Sequence, residues 1–95
     1  MGDEESNQDF LGIVLDYDRE SKIASIEERN YFKKGDEIEI IGPNHETFSQ
    51  KINILYDEEE DSIDVANKPR MIVKMPMDRE VFKYDLLRIK MDVDK

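Results

Sequence analysis

The stretch NYFKKGDEIEIIGP, residues 30–43, decides how this chain folds. From Glu37 to Ile41 acidic and apolar side chains alternate, which is the period of a strand with one buried face. Ile38 and Ile40 fall on one side and are expected in the core, with Glu37 and Glu39 in water. Gly35 stands at the corner before that strand. A sharp corner calls for a positive φ, which glycine adopts without strain, so Gly35 is assigned to structure rather than to chemistry. Gly42-Pro43 ends the strand, because proline has no N–H to give to a ladder.

The same pattern repeats outward from this stretch. FLGIVLDY, residues 10–17, and KIASIEERN, residues 22–30, are two strands joined by an Asp/Glu/Ser-rich turn, with Ala24 and Ile26 pointing to the core. ETFSQKINILY, residues 46–56, alternates with Phe48, Gln50, Ile52 and Ile54 on one side. The acidic run DEEED, residues 57–61, forms a hairpin tip. Short strands follow at SIDVA and RMIVKMP, then a turn at residues 83–85 leads into LLRIKM. Six to seven short strands, turn signals about every ten residues and no strand–helix–strand alternation predict an all-β fold, a small antiparallel β-barrel. Residues 10–92 are expected to form this domain, and residues 1–9, without apolar periodicity, a disordered lead-in.

Ninety-five residues suffice for one domain with a modest core. The net charge is −10, unevenly spread: residues 1–61 carry 6 basic and 18 acidic side chains, residues 62–95 carry 8 and 6. Such a balance opposes tight sequence-independent binding to DNA or RNA. No apolar run is long enough to span a membrane, and no secretion signal begins the chain, so a cytoplasmic protein is expected.

The residues offer little chemistry. There is no cysteine, and His45 is the sole histidine, set in a loop beside Pro43 and expected at the surface. A thiolate metal site is excluded, and a histidine metal site lacks partners. No serine lies in a nucleophile motif, and the glycines are too scattered to cradle a phosphate. No catalytic, metal or cofactor residue is therefore assigned. Basic side chains gather in the last third, interleaved with Phe82 and Tyr84. Lys68, Arg70, Lys74 and Lys83 are the candidate contacts for RNA or a protein partner, interrupted by Asp78, Glu80 and Asp85.

Two resemblances rest on these motifs. LGIV, FKKGDEIEIIGP, ANKPRMIV and KYDLLRI resemble the strands of the second-domain barrel of translation GTPases such as elongation factor Tu, with Tyr84 standing where the last motif has a glycine. Over residues 10–90, FLGIVLDY, EERNYFKKGDEIEIIGP, FSQKINILYDEE, IDVANKP and DLLRIK resemble the C-terminal domain of the collagenase-like peptidases, family thirty-two of the unknown-type class. That resemblance implies a barrel attached to a larger catalytic domain like a TIM barrel. The family includes proteases of the collagenase kind and relatives that hydroxylate tRNA or ribosomal RNA with prephenate and iron–sulfur chemistry. None of the catalytic motifs falls in this chain. The expected function is a non-catalytic accessory domain of such an enzyme, positioning substrate or docking on the catalytic domain. The alternative is an RNA-facing module of a tRNA- or rRNA-hydroxylating relative. The implied partners are the parent's catalytic domain and a peptide or tRNA substrate.

Overall fold

The computed structural model describes residues 10–90, all of them strand, turn or irregular chain. The expected lead-in over residues 1–9 lies outside the described residues. Eight strands form: β1 (Phe10–Asp18), β2 (Ile23–Glu28), β3 (Phe32–Lys33), β4 (Glu37–Ile41), β5 (Phe48–Lys51), β6 (Val65–Ala66), β7 (Ile72–Pro76) and β8 (Leu86–Ile89). Six of them make one antiparallel sheet in the order β5-β4-β8-β1-β2-β7, and β3 pairs with β6 in a small second sheet. The large sheet curls into a half-barrel. Phe32 of β3 and Ala66 of β6 belong to the same buried cluster as Val14, Ile26 and Leu87, so both sheets share one core. β3 is the strand that sequence alone reads as part of a corner.

Alternation holds where a ladder enforces it. Ile38 and Ile40 are fully buried, as are Ala24 and Ile26. Beyond Lys51 the expected alternation fails: Ile52 is buried, but Ile54 is 43% exposed and Leu55 is fully buried. The period of two needs a neighbour to hold the pleat. Here β5 has ended, Ile52 bonds to the Gly35–Asp36 corner, and the Leu55 carbonyl instead accepts from Ile63 N–H.

The two end strands, β5 and β7, are joined through a side chain. Buried Gln50 donates from Nε2 to the Pro76 carbonyl (3.0 Å), and its Oε1 accepts from Asp78 N–H (2.8 Å). A glutamine amide carries the donor and acceptor of a peptide group, so it extends the hydrogen bonding where no strand lies alongside.

Two corners are near copies of one another. At the first, Asp36 N–H donates to the Lys33 carbonyl and Lys33 N–H to the Asp36 carboxylate; at the second, Asp85 N–H donates to the Phe82 carbonyl and Phe82 N–H to the Asp85 carboxylate. Gly35 N–H donates to Ile52 and Ile52 N–H to Asp36; Tyr84 N–H donates to Val14 and Val14 N–H to Asp85. The strands that follow, β4 and β8, pair with a register symmetric about Glu39↔Arg88, with Ile38 opposite Ile89 and Ile40 opposite Leu87. The corner residues share a left-handed backbone: φ is +95° at Gly35 and +76° at Tyr84. Tyr84 thus occupies the glycine position of the motif.

A side chain at positive φ costs roughly 1–2 kcal/mol. A Cβ at Gly35 would meet nothing within 4 Å, so the penalty of Gly35→Val comes from the backbone alone and should exceed about 1 kcal/mol by denaturant unfolding. The reverse change at the equivalent corner, Tyr84→Gly, removes a ring that is 69% exposed. It should leave stability equal or raise it by up to about 1 kcal/mol. A clear loss at Tyr84→Gly would contradict the equivalence of the corners.

Candidate functional site

His45 does not lie at the surface as its loop position suggests. Its ring sits between Phe48 and Phe82, at centroid distances of 5.4 and 6.1 Å. Nε2 is 2.6 Å from Oδ2 of Asp85, whose side chain is wholly buried, and Nδ1 is 2.7 Å from the Glu46 carbonyl. A carbonyl only accepts, so Nδ1 carries a hydrogen, and a second proton joins Nε2 to the Asp85 carboxyl across the short contact. Burial works to lower the His45 pKa, but the Glu46 carbonyl together with the hydrogen bond and charge of Asp85 outweigh it, and the net shift is upward. Asp85 Oδ1 has no hydrogen-bond partner. It rests against Gly42, where an added Cβ would fall 1.9 Å away. A catalytic histidine needs one ring nitrogen for its carboxylate and the other for a nucleophile or substrate. Both nitrogens of His45 are spent, so the pair is a clamp joining the β4–β5 hairpin to the corner before β8.

The four basic residues singled out from sequence lie on three different elements. Lys68 and Arg70 belong to the turn between β6 and β7, which is held by Arg70 N–H donating to Glu28. Lys74 is in β7 and reaches Glu60 (3.4 Å). Lys83 lies before β8, its Nζ 5.3 Å from the centre of the exposed Tyr84 ring. In the sheet, β7 and β8 are separated by β1 and β2.

The outer face of the sheet carries two features that sequence reading did not assemble. Leu86 of β8 stands between Ile41 of β4 and Ile13 of β1; Ile13 pairs with Glu27 of β2, which pairs with Ile72 of β7. Directly paired residues share a face. The neighbouring set, Ile40, Leu87, Gly12, Ile26 and Val73, is buried, so this row points outward. Leu86 is 40% exposed. Beside the row, a groove of about 590 Å³ lies between the end of the β1–β2 hairpin and the 56–60 segment. Tyr17, Tyr56 and Ile23 line it, with Asp16, Asp18 and Glu60 contributing carboxylates. A β-bulge between Val14 and Asp16 brings Asp16 opposite Ser25, which pairs with Lys74, itself bridged to Tyr56. Burial, then the charge of Glu80, pushes the Tyr17 phenol up despite the opposing effect of Arg19. It is a neutral O–H donor at ordinary pH. Next to the groove, DEEED forms the expected turn, with Asp57 Oδ1 accepting from Glu59 and Asp61 N–H.

The model of the peptidase family U32 C-terminal domain matches residues 6–88. This chain belongs to that family. The C-terminal domain of a Geobacillus thermoleovorans protein described as a U32 peptidase has been solved twice. One structure is 41% identical with a TM-score of 0.85, covering 87% of this chain and 93% of that one. Its selenomethionine variant is 43% identical with a TM-score of 0.82, covering 83% and 96%. The tRNA hydroxylation protein P1 of Bacillus subtilis is 39% identical over 80 residues, which are 84% of this chain and 19% of that protein. The chain thus spans about a fifth of the length of that relative. The U32 C-terminal fold agrees with the all-β architecture; the likeness to the elongation-factor barrel rests on the motifs alone.

The clamp sets a pH dependence. His45 has a folded pKa above its ordinary value of 6.5, so its stabilisation is fully present below that value. It is lost as pH rises through the folded pKa. Unfolding midpoints measured across this window should fall with pH, and His45→Gln should flatten the trend. His45→Ala leaves a buried carboxylate unpaired and should cost roughly 3–5 kcal/mol. Gly42→Ala drives a Cβ into Asp85 and should cost about 1–3 kcal/mol by the same measurement.

Proposed function

We propose that this domain is a non-catalytic accessory module of a longer tRNA-hydroxylating protein, seated on the body of that protein through the outward apolar row Ile41–Leu86–Ile13 across β4, β8 and β1, which Glu27 separates from Ile72. The observation that carries the proposal is the row itself. A barrel that worked alone in water would place polar side chains at these positions, and apolar residues aligned across several strands mark a contact surface. The tRNA hydroxylation protein P1 supports the assignment of the parent: its relationship covers most of this chain, and most of its own length lies elsewhere. The use of both nitrogens of His45 also argues for chemistry in another part of the parent. The solved relatives are described as belonging to a U32 peptidase. In a peptide-cleaving parent the docking role would be the same and the substrate different.

A second role has one observation behind it. Lys83 above the exposed Tyr84 ring offers a cation beside a stacking surface, the pairing that single-stranded RNA uses. With Lys68, Arg70 and Lys74 it would add tRNA contacts to those of the parent.

The test is Ile13→Lys with Leu86→Lys in the full-length parent. The isolated domain should stay folded and lose about 1 kcal/mol or less, since Leu86 is exposed and Ile13 is half-buried on the outer face, outside the core. In the parent the domain should become sensitive to limited proteolysis and hydroxylated tRNA in cells should fall. Unchanged tRNA hydroxylation would overturn the proposal. Cleavage of gelatin or casein by the parent, lost with the same double substitution, would transfer the docking role to a peptidase. Loss of tRNA affinity on changing Lys68, Arg70, Lys74 and Lys83 to alanine, with docking intact, would establish the second role.

A further inference from the structure

The groove beside the apolar row differs in chemistry from the rest of the outer face. Tyr56 and Ile23 give it apolar and aromatic lining, while Tyr17, paired with buried Ala24, turns to the core side; its volume of about 590 Å³ is that of a side-chain or small-ligand site. Lys74 is its one cation and is already engaged by Glu60. Asp16 and Asp18 each use Oδ1 to accept a backbone N–H, from Tyr17 and from Glu20. Among the described residues neither is paired with a cation, and the second oxygen of each accepts no hydrogen bond. The groove therefore keeps two uncompensated carboxylates on the same face as Tyr56. The five consecutive acids of residues 57–61 border it and deepen the negative potential.

That combination repels phosphate and selects a cation. An ammonium would satisfy the charge alone. A guanidinium also lies flat on a tyrosine face and offers a planar fork of donors to a carboxylate. We propose that the groove receives an arginine side chain presented by a basic protein segment. The site is independent of what the apolar row contacts, and its test uses the 95-residue chain by itself.

The probe is the peptide acetyl-Gly-Arg-Gly-amide, titrated into the ¹⁵N-labelled chain, with the neutral, nearly isosteric citrulline peptide as control. The arginine peptide should give saturable, salt-sensitive shifts in the amides around residues 16–25, 56–60 and 74. The citrulline peptide should bind about tenfold more weakly, since charge-assisted hydrogen bonds are lost. Asp16→Asn with Asp18→Asn should weaken arginine binding by a similar factor. Asparagine keeps the oxygen that accepts each backbone N–H, so the spectrum should otherwise stay folded and dispersed. Equal binding of the two peptides, shifts that map elsewhere, or no saturable shift would overturn the proposal. So would a single-stranded RNA oligonucleotide producing the same shifts, which would give the face to nucleic acid.

Discussion

The carboxylate of Asp85 is shut away from water, and much of the sheet is arranged around that fact. It takes the N–H of Phe82 and the ring of His45, and its own peptide group bonds to Val14 on β1. One acidic residue, through its side chain and its carbonyl, therefore ties together β1, the start of β8 and the hairpin between β4 and β5. Gly42 supplies the space, because any Cβ there would collide with the carboxylate. Phe48 and Phe82 screen the pair from solvent, which strengthens the attraction and leaves few ways to compensate for a lost partner.

The equivalent corner at Asp36 shows the same backbone pattern solved at the surface. Its second carboxylate oxygen meets Lys33 Nζ at 2.8 Å, a contact open to water and correspondingly weak. The two corners start β4 and β8, neighbours in the sheet, so the scaffold contains a pair of related half-units joined at Glu39↔Arg88. In one the aspartate is a turn residue. In the other it has become the anchor of a loop.

Such a scaffold keeps its polar chemistry for its own assembly. Gln50 closes the sheet, Glu28 holds the turn before β7, and His45 with Asp85 locks the β4–β5 hairpin. What faces outward includes a row of isoleucine and leucine interrupted by Glu27, and an acidic groove beside Tyr56. Both suit the recognition roles proposed above, in a chain that spans about a fifth of the length of the tRNA hydroxylation protein P1.

Much of this fold was legible in residues 30–43 and their echoes. Alternation placed Ile38, Ile40, Ala24 and Ile26 in the core, the corner demanded a glycine at position 35, and the U32 motifs were local enough to read. Each of these rests on spacing within one strand or turn, which the sequence by itself determines. The exposed Ile54 and buried Leu55 depended on where β5 lost its neighbour. The burial of His45 depended on Asp85, forty residues away in the chain. The apolar row and the groove arise from register between strands far apart in sequence, with a β-bulge setting Asp16 opposite Ser25. Only the tertiary structure decided these, because a side chain's face is set locally whereas its company is set by which strands pair and in what register.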